Sequence, residues 1–177
     1  MIHLIYISII LILMMLFLFI YNKKNKKNKK NKKNKVNLSV DIIIYDKVNK
    51  KIALIKRKGI TYYNHWAIPG GFVDVHKNES DIDAARREAY EEINLPKNLK
   101  LERSNASRSN DTRDPRGYTA TIVFYTLVDN YKKIDKFLKS GDDASDYKWF
   151  SISQLDKIKI AFDHRNIIND TIKLINK

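Results

Sequence analysis

Residues 70–95 read GGFVDVHKNESDIDAARREAYEEINL and predict a glycine-rich loop followed by an acidic helix. The periodicity indicates a helix over residues 80–93, with Ser80 or Asp81 as its N-terminal cap. At about 100° per residue, one apolar face collects four side chains, those of Ile82, Ala85, Ala89 and Ile93. Such a face indicates that the helix packs on a core.

Three glutamates of this helix, Glu88, Glu91 and Glu92, lie at i, i+3 and i+4, so their carboxylates share a neighbouring face. Like charges at this spacing repel, and a cation between them removes the repulsion. With no cysteine in the chain and no nearby histidine, these oxygen ligands favour Mg²⁺ or Mn²⁺ over zinc. The alternative is a solvated surface helix on which Arg87 and Glu91 form an ordinary ion pair.

The segment before the helix favours the metal site. Residues 67–72, AIPGGF, bring a glycine-rich backbone against the helix start, and glycine lets the backbone approach a phosphate or metal closely. A bound metal can neutralise the bridging oxygens of a phosphoanhydride and lower the pKa of an attacking water. The loop and the helix together therefore predict metal-assisted attack on a phosphoanhydride.

These residues resemble the signature of the Nudix hydrolase family. The family pattern is a glycine, five residues, a glutamate, seven residues, Arg-Glu, an aliphatic residue, any residue, Glu-Glu, any residue, a glycine and an aliphatic residue. Gly71 and Glu79 match its first two positions, and residues 87–92 match the Arg-Glu and Glu-Glu pairs. Seven residues separate Gly71 from Glu79 instead of five, which leaves the role of Glu79 open. Asn94 replaces the closing glycine, but asparagine also tolerates the left-handed conformation at a helix end.

The resemblance implies an α/β (α+β) fold, an α/β/α sandwich around a mixed sheet. It implies that Glu88, Glu91 and Glu92 bind the Mg²⁺ or Mn²⁺, with the Gly71 carbonyl as a further ligand. It also implies catalytic roles for Glu91, Glu92 and Arg87, in which Arg87 orients the glutamates.

Further segments resemble the ADP-ribose pyrophosphatase branch of the family, in particular the Nudix domain of bifunctional nicotinamide-mononucleotide adenylyltransferases. They are residues 66–74 (WAIPGGFVD), 114–118 (DPRGY), 141–144 (GDDA), 149–150 (WF) and 161–164 (AFDH). The resemblance implies hydrolysis of ADP-ribose to AMP and ribose 5-phosphate. Two alternatives stay open. One is another substrate, such as a nucleoside triphosphate, a dinucleoside polyphosphate or an RNA cap. The other is a sensor that binds ADP-ribose without cleaving it.

Arg113 and Arg116 are the predicted substrate-binding cations, since they flank a turn and could hold a pyrophosphate or terminal ribose by forked hydrogen bonds. Gly70 and Phe72 complete the expected substrate contacts. The alternative for both arginines is a solvated basic loop.

A loop acid, Asp142 or Asp143, is the candidate for the general base that orients or deprotonates water. The alternative is a solvated acidic loop. His164 can bind ligand or form a hydrogen bond at a helix start. The aromatic residues that can either stack on adenine or fill the core are Trp66, Phe72, Phe162, Tyr62 and Tyr63.

Outside the helix, the apolar runs at residues 40–45 and 51–56 predict a hairpin, and residues 66–73 a loop leading into a strand. Further strands are predicted at residues 118–128 and 148–150, and helices at 152–155 and 164–175. Because strands and helices do not alternate regularly, we expect residues 36–177 to form a mixed sheet between helices.

Residues 1–21, MIHLIYISIILILMMLFLFIY, are almost uniformly apolar. About 20 helical residues rise roughly 30 Å, so we predict one transmembrane helix here. A secretory signal peptide is the alternative, but no basic residue precedes this long apolar run and no Ala-x-Ala follows it.

Residues 22–35, NKKNKKNKKNKKNK, predict a solvated linker. The chain of 177 residues has a net charge of +14, and the nine lysines of this linker account for most of it, leaving +5 elsewhere. A polybasic stretch beside a membrane helix stays on the cytosolic side and attracts anionic lipid. We therefore expect a cytosol-facing domain and anionic lipid, rather than RNA, as the partner of the lysines. The sequence leaves a homodimer open.

Overall fold

The computed structural model describes residues 14–25, 36–110, 112–141 and 143–177. The chain divides into two units, Met1–Lys35 and Val36–Lys177. In the first unit, residues 14–25 are helical and the apolar side chains of residues 14–21 are exposed. Within the described residues, no helix is both long enough and apolar enough to cross a membrane. The helix predicted over residues 1–21 and the linker over residues 22–35 lie partly outside the described residues.

The second unit is built on one mixed sheet. Its strands in the described residues are β1 (Asn37–Asp46), β2 (Lys51–Arg57), β3 (Trp66–Ala67), β4 (Gly70–Phe72), β5 (Glu102–Arg103), β6 (Arg108–Asn110), β7 (Thr119–Val128) and β8 (Ala144–Ser151). The order along the sheet is β3-β2-β1-β7-β5, with β4 paired to β1, β6 to β7 and β8 to β2. β1 and β7 run parallel, whereas the other pairs are antiparallel.

Helices cover both faces of this sheet. They are α1 (Asp81–Ile93), α2 (Tyr131–Asp135) and α3 (His164–Ile175). Because side chains alternate along a strand, Ile42 and Ile44 of β1 enter the core cluster that contains apolar residues of α1. Ile43 of β1 enters the opposite cluster, with Ile167 and Ile168 of α3. The predicted α/β/α sandwich around a mixed sheet is confirmed.

Most predicted elements are present, with shifted ends. The hairpin is β1 and β2, the strand predicted at residues 148–150 extends over all of β8, and residues 66–73 contain the two short strands β3 and β4. The helix predicted at residues 152–155 is a 3₁₀ helix, Ile152–Lys157. The sequence missed β5, β6 and α2, because elements of two to five residues are too short to show a periodicity.

Local sequence explains both ends of α1. Ser80 is the N-cap, and its Oγ accepts a hydrogen bond from the Asp83 amide at 3.2 Å. At the other end Asn94 adopts the left-handed conformation, with φ of 51°. The longer loop before the helix folds into a 3₁₀ turn, Val75–Lys77, closed by Asn78 at φ of 56°. The insertion is therefore absorbed upstream of Glu79.

Candidate functional site

A cavity of about 420 Å³ opens beside β1, the β4 loop and α1. It collects residues from distant parts of the second unit, which only the fold brings together. Ten of the candidate residues from the sequence line it, namely Gly70, Gly71, Phe72, Glu88, Glu92, Arg113, Arg116, Asp143, Phe162 and His164. Arg87 and Glu91 are not among its lining residues, and Asp142 lies outside the described residues.

Arg87 organises the acidic face of α1. Its Nε and Nη2 donate to the two carboxylate oxygens of Glu79 at 2.7 and 2.9 Å. Its Nη1 donates to Glu88 Oε1 at 2.7 Å and to Glu91 Oε2 at 3.1 Å. Hydrogen bonding to Arg87 lowers the pKa of Glu79 to about 2. Despite the longer loop, Glu79 thus forms a forked ion pair with Arg87.

Glu88 and Glu92 face the glycine loop. A Cβ at position 71 would lie 2.4 Å from Glu88 Oε1, so only glycine leaves this carboxylate its place. Glu92 Oε2 accepts a hydrogen bond from the Gly70 amide at 2.8 Å. Burial raises the pKa of Glu92 to about 8, and burial also raises the pKa of Glu88.

This pair of carboxylates suits a hard divalent cation. Both line the cavity, and burial raises the pKa of each. The negative charge of Glu88 also raises the pKa of Glu92. The ligand atoms that they offer are oxygens. A cation placed here would offset the cost of removing these two negative charges from water. The donor set therefore fits Mg²⁺ or Mn²⁺.

The predicted cluster of three glutamates differs from the arrangement found. Within the described residues, no group of three or more His, Cys, Asp or Glu side chains is arranged to hold a metal ion. Glu91 is 55% exposed and is held by Arg87, while Glu92 points inward to Gly70. Glu91 and Glu92 separate because neighbouring residues on a helix point about 100° apart. Arg87 also holds Glu88 and Glu91 by hydrogen bonds, so these two carboxylates already have a positive partner.

Three arginines supply the positive charge of the cavity. Arg113 is nearly buried and paired with Asp163 at 2.9 Å and Asp41 at 3.4 Å. Arg116 is more exposed and pairs with Asp114 at 2.7 Å. The third, Arg57, was not predicted.

Arg57 ends β2 and forms no ion pair with any described residue. Its Nε donates to the Thr61 carbonyl at 3.0 Å, and its guanidinium packs 4.9 Å from the Phe162 ring. Both contacts fix the group at the cavity, and no described carboxylate pairs directly with its charge. Arg57 is therefore the cation best placed to meet a phosphate.

A buried polar network forms the floor of the cavity, and the sequence analysis missed its centre, Asp41. The Asp41 Oδ2 accepts from Thr121 Oγ1 at 2.8 Å, and Oδ1 lies 3.5 Å from Nε2 of His164. His164 Nδ1 accepts the Ile68 amide at 3.0 Å, and burial lowers the pKa of this histidine. One signal was available, because Asp41 is an acid directly before three consecutive isoleucines of β1.

The five aromatic candidates lie in four different places. Phe72 and Phe162 line the cavity and lie 4.8 and 5.6 Å from the Arg116 guanidinium. Trp66 stacks edge-on against Phe150 at 4.8 Å on the other side of the sheet. Tyr63 is 68% exposed. Tyr62 packs 4.6 Å from Phe162. Of the five, Phe72 and Phe162 are thus placed to contact a ligand in this cavity.

Comparison with known proteins agrees with this geometry. The NUDIX domain family model matches residues 35–171. An ADP-ribose pyrophosphatase of Methanocaldococcus jannaschii is 39% identical over 140 residues, which cover 78% of this chain and 75% of that protein. The ADPR responsive transcriptional repressor NtrR of Acinetobacter baylyi is 29% identical over 141 residues, covering 78% of this chain. The match spans only 54% of the repressor's length.

A solved structure offers a further comparison. The bifunctional NMN adenylyltransferase/ADP ribose pyrophosphatase from Francisella tularensis, complexed with AMP and a Mn ion, superposes with a TM-score of 0.67 at 26% identity. The match covers 79% of this chain and 42% of that chain. The resemblance drawn from residues 70–95 is confirmed.

Proposed function

We propose that this chain, which belongs to the NUDIX domain family, hydrolyses a nucleoside diphosphate linked to a second group, with ADP-ribose as the substrate. One observation carries the proposal. Two carboxylates of α1, the half-buried Glu88 and the buried Glu92, lie against the Gly70–Phe72 strand in a cavity that also holds Arg57, which has no ion pair to a described residue. The Methanocaldococcus relative named an ADP-ribose pyrophosphatase supports the choice of substrate.

Glu88 and Glu92, with the Gly71 carbonyl, would hold the Mg²⁺ or Mn²⁺. Glu91 would become a further ligand once its carboxylate leaves Arg87. A bound cation of this kind neutralises phosphate oxygens and lowers the pKa of the attacking water. Arg87 would orient Glu88 and Glu91, since its Nη1 donates a hydrogen bond to each.

The remaining residues bind and orient the substrate. Arg57 and Arg116 would hold the diphosphate by charge-assisted hydrogen bonds, and Phe72 would cover it. In the reaction, the water oxygen bonds to one phosphorus and the bond from that phosphorus to the bridging oxygen breaks. The bridging oxygen leaves with the other phosphate, so ADP-ribose gives AMP and ribose 5-phosphate. Asp143, and the adjacent Asp142, are the candidates to accept the proton of the water.

A substrate panel with the purified full-length chain tests this function. We expect ADP-ribose to be hydrolysed with Mg²⁺ or Mn²⁺, and the rate to fall to background with EDTA and return when metal is restored. Glu92→Gln should lower kcat by about a hundredfold or more, since it removes a proposed ligand with little change in shape. Nucleoside triphosphates, dinucleoside polyphosphates and capped RNA complete the panel. Preference for one of these would reassign the substrate and keep the chemistry.

A sensor of ADP-ribose is the second candidate. Two observations favour it, namely the Acinetobacter relative named an ADPR responsive repressor and the engagement of Glu88 and Glu91 by Arg87. A sensor predicts that the wild type and Glu92→Gln bind ADP-ribose equally well and that the wild type shows no metal-dependent turnover. The same preparations therefore separate the two functions.

We further propose that residues 1–21 anchor the domain to a membrane, with the domain in the cytosol and the lysines of residues 22–35 against anionic lipid. The apolar run and the adjacent positive charge support this placement.

A further inference from the structure

A second cavity, of about 590 Å³, adjoins the first. Arg113 and Phe162 line both cavities, so these two side chains form the shared wall. The volume is within the range of about 300–1,000 Å³ that is usual for small-molecule sites. A diphosphate held in the first cavity would therefore extend one of its two substituents past this wall into the second.

The second cavity differs from the first in charge. Its two arginines are both neutralised, Arg108 by an ion pair with Asp170 and Arg113 by Asp163 and Asp41. The first cavity, in contrast, holds Arg57 without an ion pair to a described residue. Phosphate is thus expected in the first cavity, and a neutral polar group in the second.

Polar groups in the second cavity have unused hydrogen-bonding capacity. Arg108 Nε is buried and has no hydrogen-bond partner among the described residues, which is a costly arrangement for a donor. The Asn166 side-chain amide also makes no hydrogen bond to a described residue, and it offers one donor and one acceptor group. A neutral ligand with both donors and acceptors along one edge would satisfy them.

The aromatic wall of the cavity is made by strained residues. Tyr62 and Phe162 contact each other at 4.6 Å, and both adopt left-handed backbone conformations, with φ of 57° and 52°. Aromatic residues rarely take this conformation, and it is concentrated at ligand sites, where the surrounding structure enforces it. Here the two rings line a cavity that Asn166 and Arg108 also line.

We infer that this second cavity binds the purine base of the substrate, stacked on the ring of Tyr62 or Phe162 and read by the Asn166 amide. Aromatic rings stack on any base, whereas an asparagine amide pairs in a bidentate manner with the donor and acceptor edge of adenine. The wall shared with the first cavity then sets the spacing between base and diphosphate. This inference rests on the proposed function, because it assigns one half of that substrate.

Equilibrium binding of AMP and GMP to the full-length chain in EDTA tests the inference without turnover. We expect Tyr62→Leu to weaken both nucleotides about tenfold, through lost stacking. Asn166→Ala should weaken AMP about fivefold and GMP little, which would reduce the preference for adenine. Asn169→Ala, an exposed change on the same helix, is the matched control and should bind both nucleotides like the wild type. Because Asn166 is exposed, its variant tests the inference even where Tyr62→Leu disturbs folding.

Kinetics with two substrate series then identify which half of the substrate the cavity holds. One series varies the base at constant ribose phosphate, and the other varies the sugar at constant ADP. A changed base preference in Asn166→Ala, with KM raised and kcat kept, supports the inference. A changed sugar preference alone, or wild-type affinity for AMP in both variants, overturns it. Absence of ADP-ribose turnover in the wild type would contradict the proposed function instead, and the AMP measurements would still decide the base site.

Discussion

Among single residues, Arg87 has the largest number of ionic partners in the site, and Glu79 fixes its orientation. The Glu79 carboxylate accepts two hydrogen bonds from Arg87 and one from the Asp74 amide. We expect Glu79→Gln to loosen the guanidinium and so misplace Glu88 and Glu91. Loss of a partner behind a metal ligand typically costs about 10–100-fold in activity or metal affinity. The measurement is kcat/KM for ADP-ribose across a Mg²⁺ titration.

The control for this variant is Glu102→Gln. Glu102 also has its pKa lowered by hydrogen bonds, from Lys100 and Tyr125, but it lies on β5, away from the cavity. It should keep wild-type kinetics. Equal activity in both variants would show that Glu79 plays no part in positioning the glutamates.

At the scale of elements, the loop that carries Asp143 contacts the end of α1 closely at Gly141. The Gly141 amide donates to the Glu92 carbonyl at 3.0 Å, and a Cβ there would lie 1.7 Å from the Glu91 carbonyl oxygen. Gly141→Ala should therefore push the loop away from the helix end and carry Asp143 out of place. We expect a loss of about 1–3 kcal/mol in the free energy of unfolding, together with reduced kcat.

Gly59→Ala is the matched control for stability. The nearest atom to a Cβ at position 59 is Arg57 Nη2 at 3.7 Å, which is ordinary contact. Urea denaturation of the two variants compares them directly. A wild-type midpoint for Gly141→Ala would show that the loop and helix end adjust without cost.

Asp46 joins the β1–β2 turn to the start of α2. Its buried carboxylate accepts hydrogen bonds from the Asn49 amide at 2.8 Å, the Asn49 side chain at 2.8 Å and the Tyr131 amide at 2.7 Å. Burial acts to raise the pKa of Asp46, but these hydrogen bonds outweigh it and lower the pKa. Because the folded-state pKa is lowered, the stabilisation is complete above the unfolded value of 3.8 and is lost as pH falls through the lower folded value.

Asp46→Asn should accordingly cost about 1–3 kcal/mol at neutral pH, and the difference from wild type should shrink in strong acid. Urea denaturation of both proteins at pH values on either side of 3.8 measures this difference. A difference that is constant with pH would mean that the ionised form of Asp46 has no special role.

These elements also show which features of the fold and the site could be predicted from the sequence. The caps of α1 are local, so Ser80 and Asn94 could be predicted from the residues beside them. The glycine loop and the glutamates lie within one continuous segment, which made their proximity predictable. Asp41 and Thr121, in contrast, are 80 residues apart and meet because β1 and β7 pair in parallel. Arg57 and His164 likewise reach the cavity only through strand pairing and helix packing, for which no periodicity gives a signal.

For the whole molecule, the proposed anchor predicts two distinct kinds of membrane attachment. An inserted apolar helix is held by its hydrophobic residues and resists salt, whereas lysines near anionic lipid contribute about 1 kcal/mol each and are screened by salt. The full-length chain should therefore float with vesicles of any charge and stay bound in high salt.

A variant lacking residues 1–21 should float only with anionic vesicles and be released by salt. Replacing the lysines of residues 22–35 with glutamine in that variant should abolish this residual binding. Hydrolysis of ADP-ribose should be unchanged in both variants, because the cavity lies entirely within the second unit. Release of the full-length chain by salt would contradict insertion and leave the lysines as its only attachment.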